Sequence, residues 1–425
     1  MSSNDQKRVL MLLSPQSYRN AAFLKAGERL GLDVIQVVDV PDALASEWGI
    51  NNGVEFRKPE QAEKKLMDRL GSDPVNAVIS LDDSATLLAS KVAHRLNLPS
   101  NDPEAALAAR DKWVMRQRLH EHGVPAPLAW RHDLDADPAT IALDVRYPCV
   151  VKPNLLSGSR GVIRANDPDE FTIAFERTRQ ILVSEGFTNE TAGILVEDYL
   201  PGIEVALEGI LSEGKLQVLA LFDKPDPLEG PFFEETIYTT PSRLSDDEQR
   251  AIATCTEEAS AALGLRTGPV HAELRLNDMG PWIIEIAGRS IGGLCSTILE
   301  FGTGQSLEEL ILRHAIGEPI SGAERGNDAV GVMMIPIPKA GMLREVCGVE
   351  EAKQVPGVTG VEISAPINHS IVPLPEGSSY LGFIFAKGDN VDDVEAALRE
   401  AHDALEFRIS SQIRLTADPV SPPSR

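Results

Sequence analysis

The chain is short of cysteines, aromatics and bases, and each shortage closes a line of reading. Its four cysteines (Cys149, Cys255, Cys295, Cys347) lie far apart in 425 residues and form no CxxC pair. That spacing argues against a zinc cluster or a disulfide framework and leaves incidental buried thiols. Lys and Arg total 40 against 64 Asp and Glu, for a net charge of −24. No run of bases offsets the deficit, so no nucleic-acid partner is expected. The apolar run in MSSNDQKRVLMLLS is too short to span a bilayer and precedes no cleavage-site pattern. No membrane is expected either, and a cytoplasmic location is the default. Also missing are a GxGxxG after the first strand and the GK[ST] of a P-loop.

What remains is ordinary globular composition, 43% hydrophobic and 24% charged, with room for two or three cores. Strand signals at 8–13, 34–40 and 77–81 alternate with a helical stretch at 18–30, which argues for a parallel α/β sheet. Asp102-Pro103-Glu104 opens a helix that carries Lys112 and ends near Gly123. From Tyr147 the pattern turns strand-rich. Ser245 to Glu248 form a capping box before a helix with Ile252, Cys255, Ala259 and Leu263 on one side. After about residue 320, strands are expected at 329–338, 360–365 and 381–386, then a helix over 391–407. The Pro- and Ser-rich tail from 418 is expected to be loose.

The most informative segment is VHAELRLNDMGPWIIEIA, 270–287. It reads as two strands joined through Asn277–Pro281, with Val270, Ala272, Leu274 and Leu276 on one face and His271, Glu273 and Arg275 on the other. A hairpin symmetric about Met279 sets Glu273 opposite Glu285, with Ile283 and Ala287 on Glu285's face. Like charges so placed repel, unless a divalent cation lies between them. Arg289 follows within the glycine-rich AGRSIGG.

Three further segments carry polar groups. In VVKPNLLSGSRGV, Lys152 precedes a Ser157–Gly161 turn whose backbone N–H groups can face an anion, or which is a plain glycine hairpin turn. In ILVEDYLPGIEVALEG, Glu197 ends a strand and Asp198–Leu200 offer backbone donors and acceptors to a purine edge. Glu204 there can accept from both hydroxyls of a ribose. The loop 222–244, with Lys224, Glu234, Glu235 and exposed aromatics, reads as a lid.

The order Lys112, Lys152 with its glycine loop, Glu197, Glu204, Glu273, Glu285, Arg289 resembles the ATP-grasp superfamily over most of residues 1–320. FDKPDPLEGPFFEE and EIAGRSIGG are similar to carboxylate–amine ligases of the L-amino acid (dipeptide) ligase type, and the region after 320 to the C-terminal subdomain they share with biotin carboxylase.

The resemblance implies an α/β (α+β) ATP-grasp fold in three parts: a Rossmann-like domain over 1–103, a nucleotide- and metal-binding domain over 104–320 and an α+β subdomain over 321–425. It assigns Lys112 and Lys152 to ATP phosphates, with Ser157, Gly158, Ser159 and Gly161 covering them. Glu197, Asp198, Tyr199 and Leu200 would hold adenine and Glu204 the ribose. Glu273 and Glu285 would hold Mg2+, or Mn2+ in its place. Arg289 would bind the transferring phosphoryl group, and His271 and Lys224 complete the catalytic candidates. Ala287 stands where relatives carry a metal-binding asparagine. The implied reaction joins a carboxylate and an amine, as amino acids, through an acyl-phosphate, in a homodimer. The rival readings are another ATP-grasp chemistry (purine-pathway or bicarbonate-activating) and a non-catalytic nucleotide-binding protein.

Overall fold

Strand Arg8–Leu13 carries apolar residues on both faces, and Val9, Leu10, Met11 and Leu12 are all fully buried. A strand covered on both sides suits a parallel sheet between helices. It pairs in parallel with Asp33–Asp39 on one side and Ala77–Ser80 on the other, and Gly53–Val54 joins beyond Asp39. Helices Asn20–Arg29 and Leu307–Ala315 pack one face, Pro59–Leu70 and Asp83–Arg95 the other. The strand order reverses direction between Arg8–Leu13 and Ala77–Ser80. Loops leaving the carboxyl ends of such neighbours diverge and open a crevice. The computed structural model describes residues 6–411 except 16, 72, 73, 303 and 321–323, so the expected loose tail lies outside the described residues.

The single helix expected after Asp102 is two: Pro103–Arg110 and Lys112–Glu121. Asp111 has extended backbone, and its carboxylate accepts from the N–H groups of Trp113 and Val114, so it caps a second helix rather than continuing the first. Lys112 thereby becomes a first-turn residue beside the site.

Two antiparallel sheets follow. The smaller runs Ala129–His132, Ile194–Asp198, Cys149–Pro153, Ile163–Ala165 and packs helix Pro168–Ser184. The larger has eight strands and includes Gly268–Asn277, Ile203–Ser212 and Lys215–Asp223 in that region. It continues through Ile237–Thr240 into Ala329–Ile335, Gly382–Gly388 and Val358–Ile363, so the third region extends the central sheet. Helix Asp246–Leu263 begins at the expected capping box and buries Ile252, Cys255, Ala259 and Leu263 under that sheet.

Two elements differ from expectation. Ile237–Thr240 is a strand inside the span read as one long loop; its side chains are all buried, a pattern that periodicity alone cannot separate from an apolar loop. The last helix stops at Asp403, and Glu406–Ser410 is a strand paired with Gly341–Cys347, because Phe407 and Ile409 pack against the core around Ile335, Leu343 and Leu398 instead of continuing the helix.

The hairpin is the instructive case. Its turn is two residues long, with Asn277 facing Gly280 and Leu274 facing Ile283. Continued regularly, that register would put Glu273 opposite Ile284. A bulge at Ile284 adds one residue, and Glu273 faces Glu285 after all. Ile283 therefore does not share Glu285's face: it is fully buried with Leu274 and Ile286 in the core beneath helix Asp246–Leu263. Leu274→Ala should cost about 2–5 kcal/mol in urea unfolding, the range for emptying a fully buried leucine site. A loss below about 1 kcal/mol would contradict this packing.

Candidate active site

The carboxyl ends of the parallel strands, the glycine loop, the strand ending at Asp198, the hairpin's polar face and the segment 289–293 all line one cavity of about 910 Å³. Alternation along Gly268–Asn277 sends His271, Glu273 and Arg275 towards it. Cross-strand register with Ile203–Ser212 sets Glu208 beside His271 and Glu204 beside Arg275.

Lys224 is the hub of that face. Its buried ammonium lies 2.9 Å from Glu204 Oε1, 3.1 Å from Glu273 Oε1 and in short contact with Glu235 Oε1. Burial alone would discharge the lysine, but the three acids hold its pKa well above the ordinary value. Glu235 responds in the opposite way: burial, then the charge of Glu273, push it up to about 8. Glu273 is burdened by burial too, yet Lys224 and the neighbouring His271 keep it well below the usual carboxylate range. His271 Nδ1 is 3.2 Å from Glu208 Oε2 and Nε2 is 3.7 Å from Glu273 Oε1. Burial opposes its charge, but the two glutamates raise the imidazole to about 9. Arg275 Nε donates to Glu204 Oε2 at 3.0 Å and its Nη1 to the Leu200 carbonyl at 2.7 Å.

The phosphate-candidate cations are also paired. Lys112 Nζ donates to Glu285 Oε1 at 3.1 Å and to the Leu156 carbonyl at 2.8 Å, which ties the helix start to the glycine loop. Lys152 Nζ lies 2.5 Å from Glu197 Oε2. Arg116 Nε lies 2.9 Å from Glu197 Oε1, off the hydrogen-bond axis, so that contact is an ion pair. Glu197 is therefore buried between two cations, which override the cost of burial and keep it below the usual range. Burial and Arg116 draw Lys152 below its ordinary value despite Glu197. Glu197 is thus engaged by Lys152 and Arg116, while Asp198, Tyr199 and Leu200 line the cavity beside it.

The glycine loop is bent by left-handed residues at Gly158, Ser159 and Gly161 (φ 65°, 53° and 73°). Left-handed backbone at a serine costs roughly 1–2 kcal/mol, which suits a loop shaped for a task. Ser157, Gly158 and Ser159 line the cavity. Gly161 N–H instead donates to the Pro375 carbonyl, and Arg160 turns away to Glu185 and the Glu376 carbonyl. Arg289 reaches the start of helix Asp83–Arg95: its Nη2 donates to Asp83 Oδ2 at 2.7 Å.

Sequence reading did not single out Arg116, Asp83, Arg19 or Glu208, and named Glu235 only as a lid residue. Each is recognisable only through a partner far along the chain. Among the described residues, Glu204, Glu235 and Glu273 are the acids whose oxygens converge closely enough to share a cation. Glu285 stands across the hairpin from Glu273.

Two measurements follow. His271 and Glu235 both bind a proton more tightly when folded. His271 contributes in full below about pH 6.5 and loses that contribution as pH rises through about 9. Glu235 gives the same sign between about 4.5 and 8. Metal-free protein should lose thermal stability from pH 6.5 to 9, and His271→Gln should flatten that slope. Glu197→Gln should destabilise by roughly 3–5 kcal/mol in urea, since it strands two buried cations.

An ATP-grasp domain family matches residues 145–298, and the L-amino acid ligase C-terminal domain 2 matches 333–410. The solved L-amino acid ligase of Bacillus licheniformis superposes with a TM-score of 0.77 at 28% identity, covering 96% of this chain and 99% of that one. An uncharacterized protein, y4rH, of Sinorhizobium fredii is 24% identical over 417 residues, 96% of this chain and 84% of that protein. Alanine–anticapsin ligase of Bacillus subtilis is 27% identical over 269 residues, 59% of this chain; the match spans only 55% of that enzyme. The chain carries an ATP-grasp domain and the C-terminal domain of the L-amino acid ligases, in the fold of a solved L-amino acid ligase.

Proposed function

We propose that the chain uses ATP to join the carboxyl group of one amino acid to the amine of another, releasing ADP and phosphate. One observation carries this reading: Lys112, Lys152, Glu273, Glu285 and Arg289, from separate segments, all line a single cavity. The division at 103/104 and 320/321, a homodimer and a cytoplasmic location belong to the same proposal and rest on the family resemblance.

A carboxylate and an ATP γ-phosphate repel, so positive charge must bring them together. Lys152 and Lys112 would face the phosphates beneath Ser157–Ser159, and Arg289 the phosphoryl group in transfer. The hard oxygens of Glu273 and Glu285 fit Mg2+ or Mn2+, since opposed carboxylates at this register otherwise depend on Lys224 and Lys112 for compensation. When bound, the ion would neutralise phosphate charge. The substrate carboxylate attacks the γ-phosphorus and ADP leaves. The amine then attacks the acyl carbon, phosphate leaves and the amide remains. His271, held as an imidazolium, suits a hydrogen-bond donor better than a base. Asp198 to Leu200 would take the adenine edge. Glu204, with both oxygens already engaged, would have to exchange a cation for the ribose.

The test is ADP release with ATP, Mg2+ and pairs of amino acids, with mass analysis of products. Turnover and an amide product are expected for at least one pair. Glu285→Gln should lower the rate by about 100-fold or more, since a charge that holds the metal is lost. No turnover with any pair, but turnover with bicarbonate or a purine intermediate, would replace this reading with another ATP-grasp chemistry.

A further inference from the structure

Glu208 lies on strand Ile203–Ser212 directly across from His271, is completely buried, and takes no part in the steps above. A buried carboxylate is costly unless charged or hydrogen-bonded partners meet it. One oxygen, Oε2, takes both of its partners: His271 Nδ1 at 3.2 Å and the backbone N–H of Ile291, which donates at 2.9 Å. His271 presents its other nitrogen to Glu273 Oε1 at 3.7 Å. Ile291 lies two residues beyond Arg289, whose guanidinium is pulled the other way by Asp83. A carboxylate–imidazole–carboxylate chain fixes which ring nitrogen faces which acid and so aims the terminal oxygen.

We propose that Glu208 is a positioning residue that acts in two directions, setting Glu273 through His271 and the Arg289 segment through the Ile291 N–H. One buried side chain thereby couples the metal-facing carboxylate to the phosphoryl-facing cation. The partners that its burial requires lie on the two segments that carry Glu273 and Arg289, so satisfying the carboxylate also links them. The inference rests on the ligase reading of Glu273 and Arg289.

Glu208→Gln keeps the shape and removes the charge. Its kcat for ADP release should fall roughly 10–100-fold, as when outer partners of a metal ligand are lost, with KM for the amine little changed. Mn2+ binding in the presence of ATP, followed by electron paramagnetic resonance, should weaken by a similar factor. In the double variant with His271→Gln the losses should overlap rather than multiply, because the first acts partly through the second. If Glu208→Gln does not fold, Glu208→Asp serves: its shorter carboxylate cannot reach both donors, and Mn2+ should again bind more weakly. Wild-type Mn2+ affinity and kcat, or multiplied losses in the double variant, would overturn the role of Glu208. Glu273→Gln is the control, since wild-type Mn2+ binding there would overturn the metal reading itself. Loss there, with none at Glu208, would sink only this inference.

Discussion

Three carboxylates share one buried ammonium at Lys224, and the cavity is organised around that imbalance. Glu204, Glu235 and Glu273 cannot all ionise cheaply beside a single cation. Burial and the charge of Glu273 push the Glu235 carboxyl up to about 8, while Arg275 takes the second oxygen of Glu204 and His271 faces Glu273. Two strands and the segment after Asp223 converge on this point, so each element is held by charge as well as by its apolar face. The same balance extends outward through Lys112 with Glu285, Lys152 with Glu197 and Arg289 with Asp83. Such a site is preorganised but nearly neutral. A polyanionic ligand would enter by exchanging partners, not by meeting bare charge, and fixed dipoles and charges of this kind need little reorganisation once it is seated.

The cavity is also a junction. Arg19, beside the parallel sheet, donates to the carbonyls of Leu81 and Ser290 and to the Ser290 hydroxyl, while Asp83 beside the same sheet holds Arg289. The 289–290 segment is therefore gripped from the N-terminal side as well as by Glu208 through Ile291. On the opposite side, Pro375 and Glu376 accept from Gly161 and Arg160, and Arg177 pairs with Glu376. Those latter contacts are half-exposed and individually weak. Their use is geometric: they fix the height of the glycine loop above the polar face of the sheet.

Much of this was legible in the chain. Buried-type runs marked Arg8–Leu13 and its neighbours, alternation marked both faces of Gly268–Asn277, and Ser245 with Glu248 marked a helix start. Local chemistry carries those signals within a few residues. The break at Asp111 was missed because Asp at the end of an alanine-rich turn reads equally as helix surface. Arg116, Asp83 and Glu208 were missed for a different reason. Each is an ordinary surface-type residue in its own window, and is tied into the site only through partners 81, 206 and 63 residues away. No periodicity announces such a pair.

The facing glutamates show how a correct expectation can rest on the wrong geometry. A hairpin symmetric about Met279 would have needed no irregularity, but the real turn is tighter by half a step. Without correction, every residue beyond Ile283 would alternate the wrong way, and Glu285 would point into the core with Leu274. The bulge at Ile284 restores the polar face, at the cost of a carbonyl displaced from the ladder. Arg116 Nη2 donates to that carbonyl at 2.6 Å, and the same guanidinium pairs with Glu197, the partner of Lys152. The irregularity that aims Glu285 and the ion pair that aims Lys152 are thus stabilised by one buried side chain. The Glu285 side and the Lys152 side of the cavity cannot be set independently of each other.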